Sequence, residues 1–196
     1  MKVLYLDACI RGEESRTKKL CEAALSEIQS IWKDTEITHL DLKNMDLLPL
    51  NQERLSRRDA LEKKRAYDDP IFDLAHQLAQ ADLVLIGAPY WEASFPSVLR
   101  VYVEHVSVVN ITFGHTPEGM PVGLCRGERM LFITTAGGPI ADKNFGFQFL
   151  DNLFRLFGVK ETQCHAAEGL DIVDADVEGI LQTSEEALRR TIQAWR

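Results

Sequence analysis

Residues 83–104, LVLIGAPYWEASFPSVLRVYVE, decide the fold. The run Leu83-Val84-Leu85-Ile86 has the length and β-branched character of a strand buried on both faces. Gly87 and Pro89 stop it, and Tyr90 and Trp91 follow on a loop. From Pro96 the apolar residues Val98, Leu99, Tyr102, Val103 and Val106 recur at helical spacing, with proline suited to a first helical turn. A buried strand thus delivers two aromatics and an acid, Glu92, to one edge of a sheet just before a helix begins. In open α/β sheets ligands bind at that carboxyl-end edge, and flat side chains there suit a flat ligand.

Working outward, the same alternation of strand and helix runs the length of the chain. Strands are expected at Lys2–Leu6, Glu36–Leu40, Leu83–Ala88, Met130–Thr135 and Glu161–Ala166. Helices are expected at Ser15–Lys33, Pro96–Val106, Asn144–Phe157 and Val177–Trp195. The charged stretch Asn51–Gln80 reads as two helical pieces parted near Asp69-Pro70, because the residue before proline avoids helical dihedrals. Its densest part, Glu53–Lys64, reads as a solvated helix. Phe145, Phe147, Phe149, Phe154 and Phe157 read as mostly core. Five alternating strands imply an α/β, three-layer sandwich: one five-stranded parallel sheet with right-handed crossovers and helices on both faces. The expected strand order is 2-1-3-4-5, in a single domain over residues 1–196, with the loops after strands one, three and four around one crevice.

Composition narrows the partners. The 196 residues are 45% hydrophobic and carry a net charge of −8, ordinary for a globular domain and opposed to nucleic acid or an anionic membrane as the main partner. No apolar run approaches a membrane span, and MKVLYLDACI is too soon interrupted for a signal peptide. Cys9, Cys21, Cys125 and Cys164 are scattered, which points to reduced thiols and a cytoplasmic setting. Neither they nor His39, His76 and His165 show metal-ligand spacing, so no metal is expected. His105 and His115 read as ordinary surface or helix residues.

The loop after strand one ends at Ser15, a candidate helix cap. Arg16, Lys18 and Lys19 crowd that helix start with positive charge, against the helix dipole. Either a bound phosphate compensates them, using the free N–H groups with Ser15 and Thr17, or Glu13 and Glu14 do so. Neither Gly-x-x-x-x-Gly-Lys nor Gly-x-Gly-x-x-Gly is present, which argues against a nucleoside-triphosphate or Rossmann site. After strand four, Ala136-Gly137-Gly138-Pro139 permits close backbone approach to a ligand, and its N–H groups can donate to a carbonyl or an anion.

Three motifs in order carry a resemblance: Ser15-Arg16-Thr17, then Ala88-Pro89-Tyr90-Trp91-Glu92, then Thr134-Thr135-Ala136-Gly137-Gly138. Asn110-Ile111-Thr112-Phe113 and Ala167-Glu168-Gly169 echo it. The chain resembles the flavodoxin-like NAD(P)H-dependent oxidoreductases, most nearly the FMN-dependent azoreductases and quinone reductases. The resemblance implies FMN held by Cys9, Ser15, Arg16 and Thr17 at its phosphate, by Pro89, Tyr90, Trp91 and Glu92 along its ring, and by Thr135, Ala136, Gly137 and Gly138 at its polar edge. It implies NADH or NADPH as electron donor, a quinone or azo acceptor, ping-pong hydride transfer and a homodimer, with no catalytic side chain. Four positions depart from the family. Ala8 and Cys9 replace serines, and a thiol is the weaker donor. Glu92 stands where asparagine is usual, and an ionised carboxylate cannot donate a hydrogen bond. Ala93 replaces a phenylalanine, which widens the expected pocket. Two other readings keep the fold: an electron carrier that docks by its acidic surface, and a binding or regulatory module without FMN.

Overall fold

A computed structural model describes residues 1–196. The strands are β1 (Lys2–Asp7), β2 (Glu36–Asp41), β3 (Leu83–Gly87), β4 (Phe113–His115), β5 (Pro121–Gly123), β6 (Arg129–Thr135) and β7 (Glu161–Ala167). The helices are α1 (Arg16–Ile31), α2 (Gln52–Lys63), α3 (Asp73–Gln80), α4 (Ser97–Val106), α5 (Phe145–Leu156) and α6 (Val177–Gln193). The main sheet has the order β2-β1-β3-β6-β7 and every pairing in it is parallel. Counting its strands along the chain, that order is 2-1-3-4-5, as expected.

Side-chain alternation explains why the central strands read as unbroken apolar runs. Leu4, Leu6, Val84, Ile86, Met130 and Phe132 point to one core, where they meet Leu78 of α3, Leu99 of α4 and Leu150 and Phe154 of α5. Val3, Tyr5, Leu83, Leu85, Leu131 and Ile133 point the other way, onto Leu20, Ala24 and Ile28 of α1 and Leu188 and Ile192 of α6. Each strand serves two cores, so neither face can be polar.

The helix boundaries follow local chemistry. Ser15 lies just outside α1 and caps it, its Oγ accepting from the Lys18 N–H at 3.3 Å. Asn51, Asn144 and Asp176 cap α2, α5 and α6 in the same way. Pro96 is the residue before α4 rather than its first turn. Asp69-Pro70 does divide the charged stretch, with a 3₁₀ turn at Pro70–Phe72 leading into α3. α2 buries no residue, as its composition requires. No helix is long and apolar enough to cross a membrane.

Two expectations need correction. The antiparallel hairpin β4–β5 was not foreseen, because its three-residue strands are too short to show alternation. Phe145 is not core. It stands 56% exposed at the start of α5, whereas Phe154 and Phe157 are buried and Phe147 and Phe149 are half-buried against the core.

Candidate functional site

The carboxyl ends of β1, β3, β6 and β7 meet around one crevice of about 360 Å³. Arg11, Glu14, Ser15, Arg16 and Thr17 line it from the first loop and α1. Pro89, Tyr90 and Trp91 line it from the loop after β3, and Thr135, Ala136 and Gly137 from the end of β6. The fourth contribution, Leu170 and Asp171 after β7, was missed in the sequence. The signal was the Ala167-Glu168-Gly169 echo. Gly169 takes a φ of 78°, a conformation easy only for glycine, and turns the chain back over the β6 loop.

Backbone hydrogen bonds hold these loops in register beyond the strands. The Ala8 N–H donates to the Gly87 carbonyl (2.8 Å), the Ala88 N–H to Ile133 (3.1 Å) and the Tyr90 N–H to Thr135 (3.0 Å). The Leu170 N–H donates to Ala136 (3.1 Å) and the Asp171 N–H to Gly137 (2.9 Å), so the last loop extends the β6–β7 ladder. The Tyr90 hydroxyl reaches the Lys143 carbonyl at 3.1 Å and fixes the aromatic wall to the loop after β6.

At the start of α1 the N–H groups of Arg16 and Thr17 have no protein acceptor, nor has that of Gly137. The Ser15 hydroxyl accepts from Lys18 and keeps its own proton to donate. Such a cluster of unpaired donors at a helix N-terminus suits an anion. Thr17 is fully buried, and its hydroxyl shares a 2.7 Å hydrogen bond with that of Thr135, which ties α1 to β6 beneath the crevice. Two of the three cations of the first turn are paired with acids: Lys18 with Glu13, and Arg16, whose Nη1 lies 2.7 Å from Asp171 Oδ1 and 3.2 Å from the Leu170 carbonyl.

Three of the residues expected at the site stand outside the crevice lining: Cys9, Glu92 and Gly138. Cys9 follows the alternation of β1 onto the α1 side. It is fully buried, with Sγ 3.6 Å from the Gly87 carbonyl and its N–H on Asp7 Oδ1 at 2.9 Å. Burial, reinforced by the neighbouring Asp7 carboxylate, pushes its thiol up to about 12. Cys9 therefore lies beneath the crevice lining, packed against the end of β3. Gly138 is exposed. Glu92 and Ala93 form the tip of a tight turn, closed by the Ser94 N–H on the Trp91 carbonyl (2.7 Å) and the Trp91 N–H on Ser94 (3.2 Å). Both take left-handed φ angles, 52° and 60°, and Glu92 is exposed to solvent.

Asp7 is the one fully buried carboxylate, at the end of β1. Besides the Cys9 N–H it contacts His39 Nε2 at 3.4 Å, and the His39 ring stacks on Tyr5 with centroids 4.6 Å apart. No group of three or more His, Cys, Asp or Glu is placed to hold a metal. Three other histidines are engaged locally, His76 on the Tyr67 carbonyl, His105 on the Leu48 carbonyl and His165 on the Ser184 hydroxyl, while the ring of His115 meets Phe113 edge-on with centroids 6.0 Å apart.

Comparison with known proteins agrees with this architecture. A family model described as flavodoxin-like fold matches residues 1–192. An FMN-dependent NADH:quinone oxidoreductase 2 of Clostridium acetobutylicum is 34% identical, with 94% of each chain covered. An FMN-dependent NADH:quinone oxidoreductase of Clostridium perfringens is 33% identical, covering 97% of this chain and 96% of that one. Among solved structures, an azoreductase from Bacillus anthracis superposes with a TM-score of 0.86 at 23% identity over 98% of both chains. An FMN-dependent NADH-azoreductase from Bacillus anthracis, in complex with FMN, gives 0.85 at 19% identity, covering 100% of this chain and 99% of that one. With its sheet order, its crevice at the carboxyl edge and its relatives all in agreement, this chain belongs to the flavodoxin-like fold family.

Proposed function

We propose that the chain is an FMN-dependent NAD(P)H oxidoreductase that reduces quinones or azo compounds. The observation that carries this reading is the crevice itself: free N–H donors at one end, an aromatic wall along the side, and an open mouth. Its volume of about 360 Å³ falls within the 300–1,000 Å³ of small-molecule and cofactor sites. Relatives named for FMN and NADH share about a third of its residues over nearly the whole length.

The residues fit the group. The Arg16 and Thr17 N–H groups, the Ser15 hydroxyl and the Arg16 guanidinium would hold the phosphate. Pro89, Tyr90 and Trp91 would flank the ring, and the Gly137 N–H would donate to its polar edge. FMN, when bound, supplies the two-electron redox chemistry, and the protein supplies position and electrostatics. NAD(P)H and the acceptor take turns against the same Tyr90–Trp91 wall, which gives ping-pong kinetics. Protons come from water at the open mouth, so no side chain need act as acid or base. The four free cysteines support a reducing, cytoplasmic setting. The apolar side chains left exposed along α5 and the β4–β5 hairpin support a homodimer.

Titration with FMN should quench the flavin's fluorescence and leave a yellow protein. That protein should oxidise NADH steadily with a soluble quinone, giving parallel double-reciprocal lines. Protein that stays colourless would sink the flavin reading. FMN binding without NADH turnover would favour the electron carrier.

A further inference from the structure

Asp171 is the residue of the crevice that neither the sequence motifs nor a structural need of the fold explains. Its Oδ1 lies 2.7 Å from Arg16 Nη1, the guanidinium at the start of α1. Its Oδ2 presses against Gly137, where a methyl group on the glycine would collide with it. The carboxylate thus reaches from the anion-binding start of α1 to the glycine pair after β6. Its backbone is already held by the 2.9 Å bond from its N–H to the Gly137 carbonyl, so the side chain is not needed to seat the loop. Both partners are open to water, with 38% of the Arg16 side chain and 69% of the Asp171 side chain exposed. An exposed pair is weak and readily exchanged for a better anion.

Resting on the flavin reading above, we propose that Asp171 is a built-in counter-anion. It occupies Arg16 when no ligand is present, and the phosphate of the incoming flavin must displace it. A phosphate dianion gains the unpaired N–H groups of Arg16 and Thr17 as well as the guanidinium, so it wins the exchange. Asp171 nevertheless weakens phosphate binding, by holding the guanidinium and by like-charge repulsion. It is a specificity determinant: it reduces the preference for phosphorylated over unphosphorylated flavin and keeps the cofactor exchangeable.

The test measures dissociation constants for FMN and for riboflavin by fluorescence quenching, in wild type, Asp171→Asn and Asp171→Glu, with circular dichroism to confirm folding. Asp171→Asn should tighten FMN about two- to five-fold, the size of an exposed ion pair's contribution, and leave riboflavin unchanged. Asp171→Glu keeps the charge and should hold the FMN-to-riboflavin ratio near that of wild type. An Asp171→Asn protein that binds both flavins alike better, or both worse, would show that Asp171 only shapes the loop, and the proposal fails. So would an Asp171→Glu protein that behaves like the Asp171→Asn one. If wild type binds FMN and the ratio does not move, this proposal falls and the flavin reading stands. If wild type binds neither flavin, both fall.

Discussion

Glu92 and Ala93 show what a single residue contributes at the crevice rim. Two-residue turns with both central residues at positive φ favour Asn-Gly, because an L side chain clashes there at a cost of about 1 kcal/mol or more. Here an acid and an alanine hold φ angles of 52° and 60° instead. Without Asn or Gly the turn leaves no signature, so the sequence shows Glu92 only as an odd neighbour for the aromatics. Ala93→Gly should relieve the strain, offset in part by glycine's greater unfolded-state entropy. The expected gain is about 0.5–1 kcal/mol, or about 1–4 °C in the melting temperature of flavin-free protein of this size. No gain would mean that the turn holds no strain at Ala93. Cys9 stands outside the crevice lining for a different reason. Its position after β1 is legible, but the Sγ direction depends on α1 covering it, which is a tertiary fact.

At the scale of elements, the crevice depends on how α1 is fixed to β6 and how α6 is fixed to β7. The Thr17–Thr135 hydroxyl pair is the polar tie in the first of these, wholly inside the protein. Thr17→Val removes one partner and strands the other, which should cost about 1–3 kcal/mol. Adding Thr135→Val should recover part of that loss, because no polar group is then left unpaired; urea unfolding of the four proteins measures the coupling. In the second, His165 Nε2 lies 2.7 Å from Ser184 Oγ, and burial holds the imidazole below its ordinary range. The unfolded chain therefore binds a proton more readily, beginning near the usual histidine value of about 6.5. The stability from neutral His165 is fully present above that pH and is lost as pH falls below it. His165→Gln should flatten the stability profile below about pH 6.5, and an unchanged slope would assign it to other groups. Periodicity revealed all five sheet strands and every helix pairing with them, because long amphipathic patterns survive local noise. It missed β4–β5, which tertiary packing creates: Gly123 lies against the Gly158 backbone with no room for a side chain, and the Cys125 N–H donates to Phe157 at 2.9 Å.

For the whole molecule, the legible part is what the sheet imposes, and the illegible part is what lies between distant segments. Strand order and the convergence of three loops follow from parallel topology. The Arg16–Asp171 pair joins residues at opposite ends of the chain and has no local pattern. The outer face of α5 poses the same problem on a larger scale. Along its roughly 18 Å run Phe145, Phe149, Leu153 and Leu156, lining a groove of about 460 Å³. Phe145 is 56% exposed at one end, and Met120, at 64%, stands on the hairpin whose second strand packs against α5. A monomer gains nothing from leaving such a stripe in water, and the homodimer proposed above would cover it. Purified protein should therefore sediment as a dimer at micromolar concentration. Phe145→Glu with Met120→Glu alters only exposed side chains, so the fold should survive while the interface fails. Burying a large apolar side chain is worth about 1.5–3 kcal/mol, and one pair is replaced in each of two subunits. The dimer dissociation constant should rise by at least about a hundred-fold, visible as a monomer in the ultracentrifuge with an unchanged far-ultraviolet spectrum. A double variant that still sediments as a dimer would place the contact on another face and leave α5 uncovered.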